Sequence, residues 1–308
     1  MARSPESRHS QLFRAISHPG GRSFRGFFRE LFHSIDKDDI FGRSAQLAYY
    51  FFFALFPGFV FLSALMATVS GSRLRENLMV HLPRLVPPQV FDLLQKTFSE
   101  TSHVTDKLTF GAIVALWSAT VGMAAACDTL NAVHDIQESR PYWRVRLVAL
   151  VLTVVTALLL LCAVVALFTG DAMIRLSDYG TQWTLIALIK TAEWIVAFGS
   201  VALIFVLIYY FAPDTRERRW HWITPGAALG IVLWIVATVG LRIYLHFFNS
   251  FLVTYGSLGA VIILLTWFYI GGFAMLTGAE VNAVIEDKAA KQGNPDATPK
   301  GEKSPQAA

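Results

Sequence analysis

Charged side chains are scarce in this chain of 308 residues, of which only 16% are Asp, Glu, Lys or Arg. An average soluble domain carries roughly 25% charged residues. The shortage is concentrated, because residues 147–170 and 223–241 contain no acidic or basic side chain at all. About 20 helical residues cross a hydrocarbon core ~30 Å thick. The composition therefore excludes an ordinary soluble enzyme and indicates an all-α, polytopic membrane protein.

Cysteines and catalytic motifs are also lacking. The two cysteines, Cys127 and Cys162, cannot form a disulfide framework or a thiolate metal site. The chain has no GxSxG, no HExxH and no phosphate-binding P-loop motif, and its eight histidines share no helical ligand spacing. The nearest approach to a metal site is Asp128 with His134 and Asp135, spread along one connection. We therefore expect no catalytic residue, no cofactor, no metal and no nucleic-acid partner, and we expect that the chain is not an enzyme.

What the chain does have is six apolar segments long enough to cross a bilayer. They are residues 47–69, 108–127, 147–169, 185–212, 224–247 and 258–279. The two termini and the connections on their side hold 18 Lys and Arg residues, whereas the three alternate connections hold seven. Basic residues accumulate on the cytoplasmic side of a membrane. The sequence therefore predicts a six-transmembrane-helix bundle with both termini in the cytoplasm.

The segments outside the spans have their own patterns. An amphipathic N-terminal helix is predicted from apolar residues at helical spacing, namely Phe24, Phe27, Phe28, Leu31 and Ile35. Apolar residues in the 70–107 connection, Val90, Phe91, Leu94 and Phe98, predict a short outer helical cap. We expect a disordered cytoplasmic arm at residues 1–21, a membrane domain at 22–287 and a disordered cytoplasmic tail at 288–308.

Small residues recur at the start of the fifth span, where Gly226 and Gly230 are four positions apart. This spacing lets helix backbones approach closely. The sequence leaves two interpretations open, which are tight packing inside one bundle and a contact between two copies of the chain.

Rare polar residues fall into two layers when their depth is counted at about 1.5 Å per residue. The candidate inner layer contains six residues from spans one, two and six: Gln46, Tyr49, Asp128, Asn131, Glu280 and Asn282. Asp128 and Asn131 are one turn apart and are expected on one helix face. The layer either is solvated at the interface or lines a polar cavity that opens first to one side and then to the other.

The candidate outer pair is Glu193 with Arg242. Each lies about 26 or 27 Å above the inner end of its span, and the two spans are joined by a short loop. Buried charges in membranes usually have partners, so we predict an ion pair between these helices. The alternative is that each side chain reaches the interface separately.

Several motifs are specific enough to suggest a relationship. They are the run AQLAYYFFFALFP at residues 45–57, RPYW at 140–143, TYGSLGA at 254–260, LTWFYI at 265–270 and GAEVNA at 278–283. Together they resemble the YihY/BrkB family of bacterial inner-membrane proteins over roughly residues 25–287. One departure is Gln46, where alanine is the commoner family choice. The resemblance implies six transmembrane helices with both ends cytoplasmic, in the bacterial cytoplasmic (inner) membrane.

The resemblance implies little about activity. Members have carried a ribonuclease label and a link to serum resistance, and movement of lipids or small molecules has been proposed for others. We expect a transporter or translocator of a lipid or other amphiphilic substrate, with the lipid bilayer as its surroundings. The alternatives are a non-catalytic membrane scaffold that supports envelope integrity, and a ribonuclease. Substrate, coupling ion, transport direction and oligomeric state stay open.

Overall fold

The computed structural model describes residues 24–68, 108–176, 183–215, 220–247, 257–293 and 297–302. Every regular element in these ranges is a helix. The seven helices are α1 (Phe24–Lys37), α2 (Ile40–Thr68), α3 (Leu108–Val133), α4 (Tyr142–Leu176), α5 (Trp183–Phe211), α6 (Trp220–Phe247) and α7 (Ser257–Lys291). The predicted all-α class is confirmed. The disordered arm at 1–21 and the outer cap in 70–107 lie outside the described residues.

Among the residues that the structure describes, five helices are long and apolar enough to span a membrane, so the chain is a multi-pass membrane protein. These candidate spans are Ile113–Val133, Tyr142–Ala163, Ile186–Phe211, Pro225–Phe247 and Leu258–Lys291. They correspond to the second to sixth apolar segments of the sequence. The first segment, residues 47–69, falls almost entirely within α2, a helix of 29 residues whose side chains are described only as far as Leu55.

The helices α2 to α7 form a closed ring, because each packs against its neighbours in the chain and α7 also packs against α2. Helix α7 additionally contacts α3 across the ring and α1 outside it. Short connections between consecutive helices from α3 to α7 favour this arrangement of antiparallel neighbours. Helix α7 therefore has the most partners, and its segment from Ala274 to Ile285 is buried throughout.

One end of the bundle collects the polar contacts, and we call it the polar end. It comprises the α1–α2 junction, the 134–141 and 212–215 connections, the end of α7 and residues 297–302. Two aspartates in left-handed backbone geometry help to form it, Asp39 at φ 49° and Asp135 at φ 55°. The Asp39 carboxylate accepts the Gly42 N–H at 3.2 Å and so caps the start of α2.

The predicted disorder from Lys288 onwards is wrong for the part of the tail that the structure describes. Helix α7 continues to Lys291, and its 35 residues extend about 52 Å, more than the ~30 Å of a hydrocarbon core. Residues 297–302 then fold back, with the Gly301 N–H donating to the His134 carbonyl at 3.0 Å. Composition alone predicted disorder because it does not register these contacts.

Helix α1 is amphipathic, as the sequence predicted, and its apolar side faces the protein. Leu31 and Ile35 are buried, and Phe27 packs against the same core. Lys288 of α7 pairs with Glu30 at 2.7 Å and lies over the Phe27 ring. The helix is therefore attached to the polar end of the bundle, while Phe28 and Phe32 stay exposed.

Candidate functional site

Helices α6 and α7 touch backbone to backbone at the polar end. Gly226 and Gly278 each lie against the other's carbonyl oxygen, and a Cβ on Gly278 would meet it at 2.5 Å. The Gly226 N–H also donates to the Asn282 Oδ1 at 2.7 Å. The close approach expected at Gly226 therefore occurs inside one chain.

Helix α5 joins this contact through Tyr209. Its buried hydroxyl donates to the Met275 carbonyl at 2.6 Å and would lie 3.0 Å from a Cβ on Gly230. The Phe205 ring lies equally close to Gly230. We call this meeting point of three helices, made of Phe205, Tyr209, Gly226, Gly230 and Gly278, the glycine contact. Only glycine leaves room for it.

A second set of bonds, the connector network, joins the 134–141 and 212–215 connections. It consists of Asn131, Glu138, Ser139, Arg140 and Asp214. Arg140 binds Glu138 through two nitrogens at 2.8 and 2.7 Å and also donates to the Ala212 carbonyl at 2.9 Å. Asp214 accepts the N–H and hydroxyl of Ser139 at 2.9 and 2.6 Å. Asn131 donates to Glu138 at 2.8 Å and accepts the Asp214 N–H at 2.6 Å.

The network stabilises the ionised form of Glu138. Partial burial on its own raises the pKa of this carboxyl, but the hydrogen bonds and positive charge of Arg140 outweigh it, so the pKa lies below its ordinary value. A bidentate Arg–carboxylate pair of this kind also fixes geometry. The connector network therefore holds the ends of α3, α4 and α5 in one arrangement.

The third feature is the tail site, formed by Asp38, Glu280 and Lys300. The Lys300 Nζ lies 2.8 Å from the Asp38 Oδ2 and 2.6 Å from the Glu280 Oε1. The two acidic side chains are only 4% and 0% exposed, so the ion pair is shielded from water. Burial alone would lower the pKa of the Lys300 ammonium. The charge of Glu280 and the hydrogen bonds to both carboxylates have a larger, opposite effect, so the pKa lies above its ordinary value.

The predicted inner layer divides into two groups. Asn131, Glu280 and Asn282 are buried and bonded as described above. Asp128, Gln46 and Tyr49 are exposed instead. Successive helical residues turn by about 100°, and the buried positions between Gln46 and Tyr49 are taken by Leu47 and Ala48. The structure places Asp128 outside the buried stripe that includes Asn131, although the two are only one turn apart.

The predicted outer pair is not among the ion pairs of the described residues. Glu193 is buried, and its carboxylate accepts a hydrogen bond from the Lys190 ammonium of the same helix at 3.0 Å. Lys190 lies three positions earlier and therefore on the same face. Arg242 is exposed on α6. Depth counting placed Glu193 and Arg242 at one height but gave no information on their rotation about each helix.

The half of α5 and α6 away from the polar end, which we call the far half, buries few of its described side chains. Glu193 is the only buried side chain described between Ile186 and Gly199 of α5, and no residue of α6 beyond Gly230 is buried. A Cβ added at Gly199 or Gly240 would meet no described atom within 4 Å. Large apolar side chains are exposed on both helices, among them Trp194, Phe198, Val236 and Val239. Beyond the glycine contact, the described side chains of α5 and α6 are therefore mostly exposed.

Sequence reasoning missed several residues of the polar end. Asp38, Glu138, Asp214 and Lys300 were not singled out, although Arg140 stood in a quoted motif. A signal was present at Asp214, which follows Pro213 at the end of an apolar span. No local signal pointed to Lys300, whose partner Asp38 is 262 positions away. Among the residues that the structure describes, no group of three His, Cys, Asp or Glu could hold a metal ion.

Comparison with known proteins agrees with the membrane fold. The profile of the family described as Virulence factor BrkB matches residues 31–301. The YfkH ribonuclease-like protein of Bacillus subtilis is 29% identical over 266 residues, which are 85% of this chain and 96% of that protein. No solved structure gave a significant match.

Two further relatives are described simply as UPF0761 membrane proteins. The one from Stenotrophomonas maltophilia, Smlt0865, is 26% identical over 83% of this chain, and the match spans 60% of its own length. The one from Pseudoalteromonas atlantica is 25% identical over 84% of this chain and 86% of its own length. This chain is thus shorter than some relatives that it matches.

Proposed function

The chain belongs to the Virulence factor BrkB family, and on that premise we propose that it translocates a lipid or another amphiphilic substrate. In this proposal six helices, α2 to α7, cross the bacterial cytoplasmic membrane, and both termini are cytoplasmic. The polar end then faces the cytoplasm. The 29-residue length and apolar composition of α2 support its assignment as the sixth span beside the five candidates.

The observation that supports translocation is that α5 and α6 bury few described side chains beyond the glycine contact, and in this proposal the two helices part there to form an opening. Large apolar side chains are available to line it, since Phe198 on α5 and Val236 and Val239 on α6 are exposed over 47%, 63% and 50% of their surface. An acyl chain can move from the bilayer into such a space without losing apolar contacts, because lipid tails are as apolar as these side chains. A scaffold without a substrate would gain stability by packing α5 against α6 along their whole length.

The glycine contact gives the opening a closed base. Beyond it the helices separate, and below it the connector network and the tail site fasten the helix ends. An arrangement closed at one end and open at the other is the geometry of one state of an alternating-access carrier. Opening the polar end would require the backbones of Gly226 and Gly278 to part.

Lipid movement in liposomes tests the proposal. The purified chain should accelerate the transfer of acyl-labelled phosphatidylethanolamine between leaflets, detected by dithionite quenching, relative to protein-free liposomes. Ala237→Trp should slow this transfer, because it adds a large side chain to α6 two turns beyond Gly230 and on nearly the same face. Ala228→Trp is the matched control, since Ala228 is exposed on α6 at the polar end. The proposal is contradicted if liposomes with verified incorporation of wild-type protein transfer the labelled lipid no faster than protein-free liposomes.

The orientation has a separate test. In a chain without native cysteines, Ser99→Cys should react with a membrane-impermeant maleimide added to intact cells, and Glu217→Cys should react only after the inner membrane is opened. The reverse pattern would place the polar end outside.

We also propose that the chain is not an enzyme, although the relative YfkH is described as ribonuclease-like. The support is that the acidic residues of the polar end already serve to hold helices together, as Glu138 does with Arg140 and Asp214 with Ser139. Purified protein should not degrade RNA. Activity that persists through purification and disappears in Asp128→Ala, Glu138→Gln or Asp214→Asn protein would show that the proposal is wrong.

A further inference from the structure

The tail site contains an ammonium group supplied by a short segment and not by a helix of the bundle. Asp38 belongs to the α1–α2 junction and Glu280 to α7, so the two carboxylates are positioned by the bundle itself. Lys300 reaches them from residues 297–302. This segment is otherwise held by single hydrogen bonds, such as that from the Lys300 N–H to the Asp287 Oδ1 at 3.1 Å.

Two buried carboxylates are unfavourable together unless a cation lies between them. Asp38 and Glu280 are almost fully buried, and the Lys300 Nζ bonds to both. The carboxylates must therefore be neutralised, either by a shared proton or by a cation, and here the Lys300 ammonium is the cation.

The donors and acceptors of the tail site match a primary ammonium. An ammonium has three N–H donors, and Lys300 directs two of them to the Asp38 Oδ2 and the Glu280 Oε1. The second oxygen of Glu280 is buried and accepts no hydrogen bond from any described residue. The site thus contains a buried acceptor that Lys300 leaves unused, and two acceptors on separate side chains suit a small ammonium better than the flat fork of a guanidinium.

We propose that Asp38 and Glu280 form a binding site for a primary alkylammonium group. In this structure the chain's own Lys300 fills the site as a tethered occupant. An external amine, either a free alkylamine or the head group of an amphiphile, competes with residues 297–302 for the same carboxylates. The proposal does not depend on lipid translocation, because it concerns binding at the polar end only.

Chemical rescue tests the proposal in the full-length chain. Lys300→Ala should lower the melting temperature in detergent by at least ~2–4 °C, because the carboxylates lose their cation. Propylammonium chloride should restore the loss, in proportion to the logarithm of its concentration once the site is half filled. Tetramethylammonium chloride, which has no N–H donor, should not. Wild-type protein should gain much less stability from propylammonium than Lys300→Ala does, since the tethered Lys300 competes for the site.

Two control variants define the site. Lys291→Ala removes an ammonium that is 68% exposed and pairs with Asp287 within one helix, and propylammonium should not raise its melting temperature. The double variant Lys300→Ala with Glu280→Gln should lose the response to propylammonium. Rescue of Lys291→Ala, equal rescue by tetramethylammonium, or no rescue of folded Lys300→Ala protein would overturn the proposal.

A measurement on wild-type protein decides the matter if Lys300→Ala does not fold. The Lys300 and Gly301 amides donate to Asp287 and to the His134 carbonyl, so they should be protected from hydrogen exchange. Propylammonium should displace the segment and increase their exchange, and tetramethylammonium at equal concentration should not. Exchange that is the same in both salts would overturn the proposal; selective acceleration supports it.

To separate amine sources, vesicles of phosphatidylethanolamine are compared with vesicles of phosphatidylglycerol in the same exchange experiment. Faster exchange only with phosphatidylethanolamine assigns the site to a lipid head group. Equal exchange, with a response to free propylammonium, assigns it to a soluble amine.

Discussion

Adding one methyl group at Gly278 should destabilise the protein, because the glycine contact has no room for it. A Cβ there would lie 2.5 Å from both the Gly226 carbonyl oxygen and the Tyr209 hydroxyl, and 3.2 Å from the Gly230 Cα. Comfortable contacts between heavy atoms are about 3.5–4.0 Å. Two of the three neighbours are backbone atoms of α6, so helices α6 and α7 must move apart by about 1 Å to accept alanine.

The expected size of the effect follows from two opposing contributions. Overpacking of a well-packed interior costs about 1–3 kcal/mol, and the contact here is at the upper end because backbone cannot rotate away. Alanine is a better helix former than glycine by about 1 kcal/mol. The net loss for Gly278→Ala is therefore about 1–2 kcal/mol, or a fall of ~3–6 °C in melting temperature.

Gly240→Ala is the matched control, because it makes the same chemical change in a helix whose added Cβ meets no described atom within 4 Å. Only the gain in helix propensity remains, so its melting temperature should rise by ~2–4 °C. Both variants are measured by tryptophan fluorescence during heating in detergent. The reasoning fails if Gly278→Ala is as stable as wild type, or if Gly240→Ala loses as much stability as Gly278→Ala.

Three further predictions concern charges. Arg140→Met should lower the free energy of unfolding by about 1–3 kcal/mol in denaturant titrations. It removes the hydrogen bonds to Glu138 and to the Ala212 carbonyl, and the positive charge 3.7 Å from the buried Asp214. Arg144→Met at an exposed site should change this free energy by less than ~0.5 kcal/mol; equal losses would contradict the connector network. The folded pKa of Glu138 is depressed below 4.5, so wild type should be more stable than Glu138→Gln at neutral pH, and this advantage should disappear as the pH falls below about 4.5 through the folded pKa; an advantage that does not decline at any pH below 4.5 would refute the assignment. A double-mutant cycle between Glu193 and Lys190 should give a coupling of ~0.2–1 kcal/mol, and one between Glu193 and Arg242 should give none; the opposite result would restore the interhelical pair.

The helices could be predicted from the sequence because each apolar run is a local property of the chain. Residues 147–169 and 224–247 were identified as spans from composition alone, and both lie inside observed helices. The spacing of Gly226 and Gly230 likewise predicted close packing. In each case the physical cause is contained in a few neighbouring residues.

The polar end could be predicted only in part. Depth along a helix is fixed by residue count, so Asn131 was placed near the end of α3. Glu280 and Asn282 lie 11 and nine residues before the end of α7, because that helix continues to Lys291. Their partners depend on which helices meet and how each is rotated, which the pattern does not contain. Lys300 illustrates the limit, since its contacts with Asp38 and Glu280 join residues far apart in the sequence. The residues next to it in the sequence are mostly polar and predict no regular structure.

Disulfide cross-linking between α5 and α6 tests most directly whether the two helices separate beyond the glycine contact. In a chain without native cysteines, Phe205→Cys and Gly230→Cys form a near pair, because Phe205 lies against Gly230. Phe198→Cys and Ala237→Cys form a far pair, two turns further along each helix and on nearly the same faces. Mild oxidation in native membranes should link the near pair and leave the far pair unlinked unless a long bismaleimide is added. A far-pair disulfide that forms as readily as the near-pair disulfide would show that the helices stay together, and the opening proposed for the substrate would not exist.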